Sequence, residues 1–233
     1  MVFTLAACGS SQISNSGQAE ESDVLEQTDN TNSEEALEAS QENDSDSTVL
    51  VLYYDYSENM GDTSGMDVDA ITSASLAGES PTGVDIGNLL VIADEIQNKT
   101  GSDIFSVRAN ETYDPSFGEM VDVAQDDQNN DKQFTFVEDI QDLSGYDTIY
   151  IGLPVWWSKI PQPMKVFLEQ HDFSGKTLIP FGIHRGSRFG QMIGQLSELA
   201  PGATVVEDGY TVNATTANDE VRDEVDSWIQ NMN

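Results

Sequence analysis

The sequence predicts an α/β protein in which a five-stranded parallel sheet carries helices on both faces and follows a disordered acidic segment. Between residues 48 and 233, apolar strand-like runs alternate with segments of helical periodicity. The first run, residues 48–54, is apolar on both faces, as expected of a central parallel strand. Residues 1–47 are instead rich in Ser, Asn, Gln and acids. One sizeable domain with an N-terminal tail follows from these observations.

The first two elements have the clearest patterns. Residues 48–54 are mostly β-branched or aromatic, which favours a strand. Residues 88–100 place Leu89 and Ile92 on one helix face, and Gly101 is suited to end that helix.

The remaining elements continue the alternation. Pro161 and Pro163 lie at the start of a helix, where proline is tolerated. Pro180 falls within a strand and cannot donate to the sheet. In chain order, these elements are strand 103–108, helix 116–128, strand 147–152, helix 162–170, strand 177–182, helix 189–199, strand 204–212 and helix 219–232. Right-handed crossovers would place the helices on both faces of the sheet.

The N-terminal region has the composition of a tether. Residues 1–47 carry 11 acids, and no Lys or Arg occurs before Lys99. Such a segment buries too little apolar surface to offset the entropy lost on ordering. We therefore expect residues 9–47 to be a disordered acidic tether and residues 48–233 to form the folded domain.

Cys8 is the only cysteine, which excludes an internal disulfide, a Cys-rich zinc site and a dithiol mechanism. Residues 5–10, Leu-Ala-Ala-Cys-Gly-Ser, resemble the lipobox of bacterial lipoproteins, in which the cysteine is lipidated. Residues 1–7 lack the apolar run of a complete signal peptide, so residues 1–8 are expected to be its remnant. The resemblance implies a lipid anchor at the extracytoplasmic face of a bacterial cell membrane. An unmodified thiol in a flexible terminus is the alternative.

The overall charge limits the classes of partner. Asp and Glu number 42 against 9 Lys and Arg, a formal net charge of -33. Nucleic acid is excluded as a partner, because binding phosphates takes clustered Lys and Arg. A bare anionic membrane would repel the domain, so membrane contact is expected only through the anchor. The acidity fits either a solubility or salt adaptation or a docking surface for basic partners. No metal is expected.

The loop after the third strand is the most informative. It reads Gly-Leu-Pro-Val-Trp-Trp-Ser-Lys-Ile-Pro over residues 152–161 and puts two large aromatic rings where a flat ligand can bind. Residues 146–184 resemble the flavodoxin-like family, whose loop usually reads Pro-Asn-Trp-Trp-Gly. The resemblance implies a doubly wound sheet of order 2-1-3-4-5 and flavin mononucleotide (FMN) as cofactor. The alternative is that both tryptophans only cap the core.

The loop over residues 183–190, Ile-His-Arg-Gly-Ser-Arg-Phe-Gly, resembles the family's Thr-His-Gly-Gly-Ser-Gly-Phe-Gly loop. Gly186 and Ser187 keep its small, hydrogen-bonding part. Arg185 and Arg188 replace small residues and could face a reduced flavin or a substrate anion, or pair with surface carboxylates. His184 could transfer protons or be structural. His184 and Arg185 are therefore the weak catalytic candidates.

The loop after the first strand departs from the family. A compact phosphate-binding turn is replaced by two halves, residues 57–59 and 87–88, separated by an insertion whose segment 67–75 suggests a lid. Leu89 replaces the usual threonine, and Asp55 brings a carboxylate towards the phosphate. Weaker phosphate affinity is therefore expected.

The resemblance implies an FMN-binding redox protein, either an electron carrier or a flavin-dependent reductase of a small acceptor such as a quinone. Its electron donor and acceptor stay unspecified, and no Gly-x-Gly-x-x-Gly motif follows a strand to hold a dinucleotide. A flavin-free binding module and a structural surface lipoprotein are the alternatives. The implied FMN-binding residues are Tyr56, Ser57, Glu58, Asn59, Gly87, Asn88, Leu89, Pro154, Val155, Trp156, Trp157, His184, Arg185, Gly186 and Ser187.

Overall fold

The computed structural model describes residues 48–61 and 87–232. The predicted tether 9–47, Cys8 and the insertion segment 67–75 lie outside the described residues and stay predictions. In chain order, the elements are β1 (Val49–Tyr53), a 3-10 turn (Ser57–Asn59), α1 (Asn88–Thr100), β2 (Asp103–Ser106), α2 (Phe117–Asn129), β3 (Thr148–Pro154), α3 (Gln162–Glu169), β4 (Thr177–His184), α4 (Met192–Leu199), β5 (Thr204–Val205), β6 (Tyr210–Asn213) and α5 (Asn218–Met232).

The strands form one parallel sheet. Their order is β2-β1-β3-β4-β5, and β6 also pairs with β4. The predicted order 2-1-3-4-5 is therefore confirmed. Tyr53 of β1 pairs with Gly152 of β3, and Pro154 pairs with Ile183 of β4, so three strands end at the same edge of the sheet.

The prediction of one continuous strand over residues 204–212 is wrong. β5 pairs with Thr177 and Leu178, whereas β6 pairs with residues 181–184. The break lies opposite Pro180, whose carbonyl oxygen would be 2.0 Å from a Cβ on Gly209. In a strand, the N–H and C=O of a residue point to the same side. The N–H that Pro180 lacks would therefore face β5 and β6, and the ladder cannot continue there.

Two apolar layers hold four of the helices, α1, α3, α4 and α5, on the sheet. On one face, α1 and α5 bury Leu89 and Val221 in the layer that contains Val51 of β1. On the other face, α3 and α4 bury Phe167 and Leu196 in the layer that contains Leu52. Neighbouring strand residues thus point to opposite layers, which explains why β1 is apolar throughout.

Among the described residues, no helix combines the length and the apolar character needed to cross a membrane.

Candidate functional site

A cleft of about 390 Å³ opens at the carboxyl edge of the sheet, where β1, β3 and β4 end. β1 and β3 are neighbours although α1, β2 and α2 separate them in the chain, so this edge contains the point where strand order reverses. Ligands of doubly wound sheets bind at that point. The cleft volume lies within the range of small-molecule sites. Its lining residues are Asp55, Tyr56, Met120, Val121, Pro154, Val155, Trp156, Trp157, Ser158, Ile183, His184, Arg185, Ser187 and Ala214.

A strained turn presents the tryptophans to this cleft. The Trp156 N–H donates to the Lys159 carbonyl at 3.0 Å, and the Lys159 N–H donates to the Trp156 carbonyl at 2.8 Å. The central residues, Trp157 and Ser158, have φ of 48° and 66°. Such a turn normally takes Asn and Gly, because other residues resist the left-handed conformation. Strain of this kind persists where the surroundings enforce it, and functional sites are common examples.

The neighbouring loop enforces this turn. The Gln191 N–H donates to the Ser158 carbonyl at 2.7 Å. A Cβ on Gly190, whose φ is 54°, would lie 2.6 Å from the Ser158 Cβ, so only glycine permits this contact. The Trp156–Lys159 turn and the loop after β4 therefore form one packed wall.

The two tryptophans have different environments. The Trp156 ring packs edge-on against Tyr54, Tyr56 and Tyr113, with centroids 6.0, 6.3 and 5.6 Å away. The Trp157 side chain is 39% exposed, and its ring centroid lies 6.3 Å from that of Trp156. Trp156 thus anchors the turn in an aromatic cluster, and Trp157 offers free ring surface to a ligand.

The position of one proton on His184 follows from a backbone contact. The Gly186 N–H donates to His184 Nδ1 at 2.8 Å. A nitrogen that accepts this hydrogen bond carries no proton, so the neutral ring carries its proton on Nε2. Burial, and next the charge of Arg188, lower the pKa of His184. Gly186 has φ of 115°, which only glycine adopts readily.

The arginines of this loop differ from most of the other cations of the chain. Five of the nine Lys and Arg residues form ion pairs: Lys99, Arg108, Lys132, Lys165 and Arg222. Within residues 48–61 and 87–232, neither Arg185 nor Arg188 pairs with a carboxylate. The predicted alternative, pairing with surface carboxylates, therefore finds no partner among the described residues. Both arginines are exposed, Arg185 lines the cleft, and the charge of Arg188 acts on His184, which also lines it.

Asp55 brings a negative charge into the same cleft. Its side chain is 3% exposed and accepts hydrogen bonds from Ser57, from the N–H at 2.7 Å and from Oγ. Burial raises the pKa of Asp55 to about 6, against the lowering effect of the two Ser57 hydrogen bonds. The Ser57 donors that were predicted to bind phosphate are thus engaged by a carboxylate.

Other predicted phosphate-loop residues hold the fold together. Asn59 Nδ2 donates to the carbonyls of Asp55 and Val107, and Asn59 Oδ1 accepts from the Ala109 N–H. Asn88 Nδ2 donates to the Thr216 carbonyl at 2.8 Å. The Leu89 side chain is fully buried in the layer between α1 and the sheet. A ligand contact by Leu89 would therefore use its backbone N–H, which is among the unpaired donors of the first helical turn.

The structure brings eight of the predicted cofactor-binding residues together in the cleft lining. These eight are Tyr56, Pro154, Val155, Trp156, Trp157, His184, Arg185 and Ser187. The other seven do not line the cleft: Ser57, Glu58, Asn59, Gly87, Asn88, Leu89 and Gly186. Met120, Val121 and Ala214 line it without having been predicted. Their apolar side chains have the same pattern as core residues, so only the tertiary fold identifies them.

No group of three or more His, Cys, Asp and Glu residues in the described part of the chain is arranged to hold a metal ion.

Comparison with known proteins gives both a family match and structural neighbours. Residues 86–232 match a family model described as Flavodoxin. No curated protein matches the chain.

Three solved structures illustrate the structural likeness. A candidate flavoprotein from Bacteroides uniformis ATCC 8492 is 22% identical, covers 78% of this chain and 97% of its own, and has a TM-score of 0.54. A second, from Bacteroides eggerthii DSM 20697, is 17% identical, covers 77% and 96%, and has a TM-score of 0.53. A Lactobacillus acidophilus NCFM flavoprotein in complex with FMN is 22% identical, covers 78% and 98%, and has a TM-score of 0.48. The two Bacteroides structures show a shared fold.

Proposed function

The chain belongs to the flavodoxin family, and on that premise we propose that it holds FMN in the cleft at the carboxyl edge of the sheet and acts as a redox protein. Family membership supports FMN as the cofactor. The observation that supports this placement is the Trp157 ring, which is exposed at the mouth of a mostly apolar cleft where β1 and β3 end. FMN in this fold binds at that switch point.

The residues present fit a flat ring with a polar edge. Trp157 offers ring surface for stacking, and Val155 and Ile183 provide apolar walls. Next to the cleft, Asn88 Oδ1 is buried and has no hydrogen-bond partner within the described residues, so a ligand hydroxyl would satisfy it. His184 Nε2–H and Arg185 supply donors.

Bound FMN supplies electron-transfer chemistry, and the protein supplies orientation and electrostatics. Arg185 and Arg188 place positive charge beside the cleft, which favours negative charge that develops there. Because the Trp157 edge of the cleft is open, an acceptor can approach directly. We therefore propose an electron carrier or a reductase of a small acceptor such as a quinone.

The test is the colour and content of the purified protein. We expect absorbance bands of oxidised flavin, and chromatography of the released compound should identify FMN. If the protein is purified colourless and does not take up FMN or riboflavin between pH 5 and 8, the proposal is wrong. The alternative is then a flavin-free binding module, which the buried carboxylate of Asp55 favours because it opposes phosphate.

We also propose that Cys8 carries a lipid that anchors the protein at the extracytoplasmic face of a bacterial membrane. The support is the lipobox-like sequence over residues 5–10 and the polar segment that follows it. The test is to express the protein behind a complete signal peptide in bacteria fed a labelled fatty acid. Label in the wild type but not in Cys8→Ser supports the anchor, and an unlabelled wild type contradicts it.

A further inference from the structure

Asp55 is the one carboxylate of the described cleft lining, and it is almost fully buried. It lies two residues after the end of β1, at the strand end that faces the switch point. Its carboxylate takes the two Ser57 donors, and none of the described Lys, Arg or His residues forms an ion pair with it. A buried, unpaired carboxylate is costly, so this position calls for a functional explanation.

The charges around Asp55 add to this cost. On its own loop, the negative charge of Glu58 opposes ionisation of Asp55. Burial is the largest cause of the raised pKa of Tyr53, the last residue of β1, and of Tyr54, which follows it, and the charge of Asp55 adds to both shifts. Across the cleft, His184 is held with an unprotonated Nδ1, and Arg185 is exposed to solvent.

We propose that Asp55 couples FMN binding to the uptake of a proton, so that the site discriminates between phosphorylated and unphosphorylated flavin according to pH. This inference rests on the proposed function. A phosphate near the end of β1 meets a like charge in a site of low dielectric when Asp55 is ionised. When Asp55 is protonated, the repulsion disappears and its O–H can donate to a phosphate oxygen.

The pH range follows from the environment of Asp55. Burial raises the pKa of Asp55 to about 6, so its proton is lost between weakly acidic and neutral pH. If FMN binds only the protonated form, its apparent dissociation constant rises about 50-fold between pH 6 and pH 8 and approaches a tenfold rise per pH unit only well above 6. Riboflavin, which has no phosphate, should lose little affinity over the same range.

The phosphate of FMN has its own second pKa near 6, so a pH dependence in the wild type alone does not identify Asp55. Asp55→Asn separates the two causes, because it removes the protein group and leaves the ligand unchanged. Glu198→Gln is the matched control for net charge: it removes one negative charge at an exposed position of α4 that does not line the cleft.

The experiment is a fluorescence titration of FMN and of riboflavin at pH 6, 7 and 8 with the full chain and both variants. We expect FMN affinity to fall about 50-fold from pH 6 to pH 8 in the wild type and in Glu198→Gln, and less than fivefold in Asp55→Asn. At pH 8, Asp55→Asn should bind FMN more tightly than the wild type. Adding Ser57→Ala to Asp55→Asn should remove part of this gain in affinity, because the hydroxyl of Ser57 is then no longer present to donate to the phosphate.

Two results would overturn the inference while leaving the proposed function intact: riboflavin and FMN with the same pH profile in the wild type, or an FMN profile that Asp55→Asn leaves unchanged. Failure of both flavins to bind any of the proteins would overturn the proposed function, and this inference with it.

Discussion

At the scale of single residues, two side chains of the cleft have pKa values that are shifted in opposite directions from their ordinary values. Burial raises the pKa of Asp55 to about 6 and lowers the pKa of His184. Both shifts favour the uncharged form, because a poorly solvated site disfavours either charge. Asp55 and His184 are therefore each uncharged over a wider pH range than the same side chain in water.

The stability of the fold should report the Asp55 shift. Folding raises the pKa of Asp55 from 3.8 to about 6, so the folded state holds this proton more tightly than the unfolded state does. The resulting stabilisation of the fold is fully present below pH 3.8 and is lost as the pH rises through 6. One pKa unit corresponds to about 1.36 kcal/mol, so Asp55→Asn should raise the free energy of unfolding by up to about 3 kcal/mol at pH 8 and by little at pH 4. Urea denaturation at both pH values measures this difference, with Glu198→Gln as control. Equal effects of Asp55→Asn at the two pH values would show that packing, not titration, is responsible.

His184 should titrate below its ordinary pKa of 6.5 and carry its proton on Nε2 at neutral pH. Nitrogen-15 NMR of the imidazole rings measures both properties. The chain has only two histidines, so a His171→Gln variant assigns the signals. Protonation of Nδ1 at neutral pH, or titration above 6.5, would contradict the hydrogen bond from Gly186.

At the scale of an element, the Trp156–Lys159 turn combines conformational strain with ligand exposure. The left-handed conformation costs a non-glycine residue about 1–2 kcal/mol, and Trp157 adopts it with φ of 48°. Trp157→Gly should therefore give a protein about 1 kcal/mol more stable than Trp157→Ala, because only glycine relieves the strain. Both variants lose the same ring, so they should lose flavin affinity equally. Thermal unfolding of the two proteins checks this; a less stable Trp157→Gly would mean that the turn is not strained.

The features that the sequence predicts correctly are those whose residues lie within one segment of the chain. Apolar runs and helical periodicity predict the strands and helices of a parallel sheet, and the Trp-Trp loop predicts its place at the cleft, because both signals lie within one segment. The order of the strands is implied by the family resemblance. The division of the last strand into β5 and β6 depends on which side of β4 the Pro180 nitrogen faces. The cross-chain contacts of Asn59 and Asn88 likewise join residues far apart in sequence. A pattern within one segment does not show which distant residues that segment will contact in the folded protein.

At the scale of the whole molecule, composition separates the described domain from the N-terminal region. The acidic, Ser-rich residues 9–47 are predicted to be a tether without a core. Deleting them should leave the melting temperature of the remaining chain within about 1 °C of the full chain, because no packing is lost. Calorimetry of the two proteins at 0.15 M salt makes the comparison. A cooperative drop of several degrees would show that this segment packs against the domain.

The net charge of -33 concerns partners more than fold. A surface of this sign repels acidic proteins and favours basic or small acceptors, whereas Arg185 and Arg188 provide local positive charge at the cleft. A redox partner that docks by charge should therefore react more slowly as salt rises, because screening weakens the attraction.

The most direct test of the central claim is a titration of FMN with the wild type, Trp157→Ala and Trp228→Phe at pH 6. Trp228 is a matched control because it lies on α5 and packs against Tyr150 and Tyr210, away from the cleft lining. We predict that FMN fluorescence changes saturably with the wild type and with Trp228→Phe. Trp157→Ala should bind FMN about tenfold more weakly, because it loses both the stacked aromatic pair, which adds about 0.5–1.5 kcal/mol, and the apolar surface that the ring buries against the flavin. Equal FMN affinity in Trp157→Ala and the wild type, or no binding by any of the three proteins, would contradict the account.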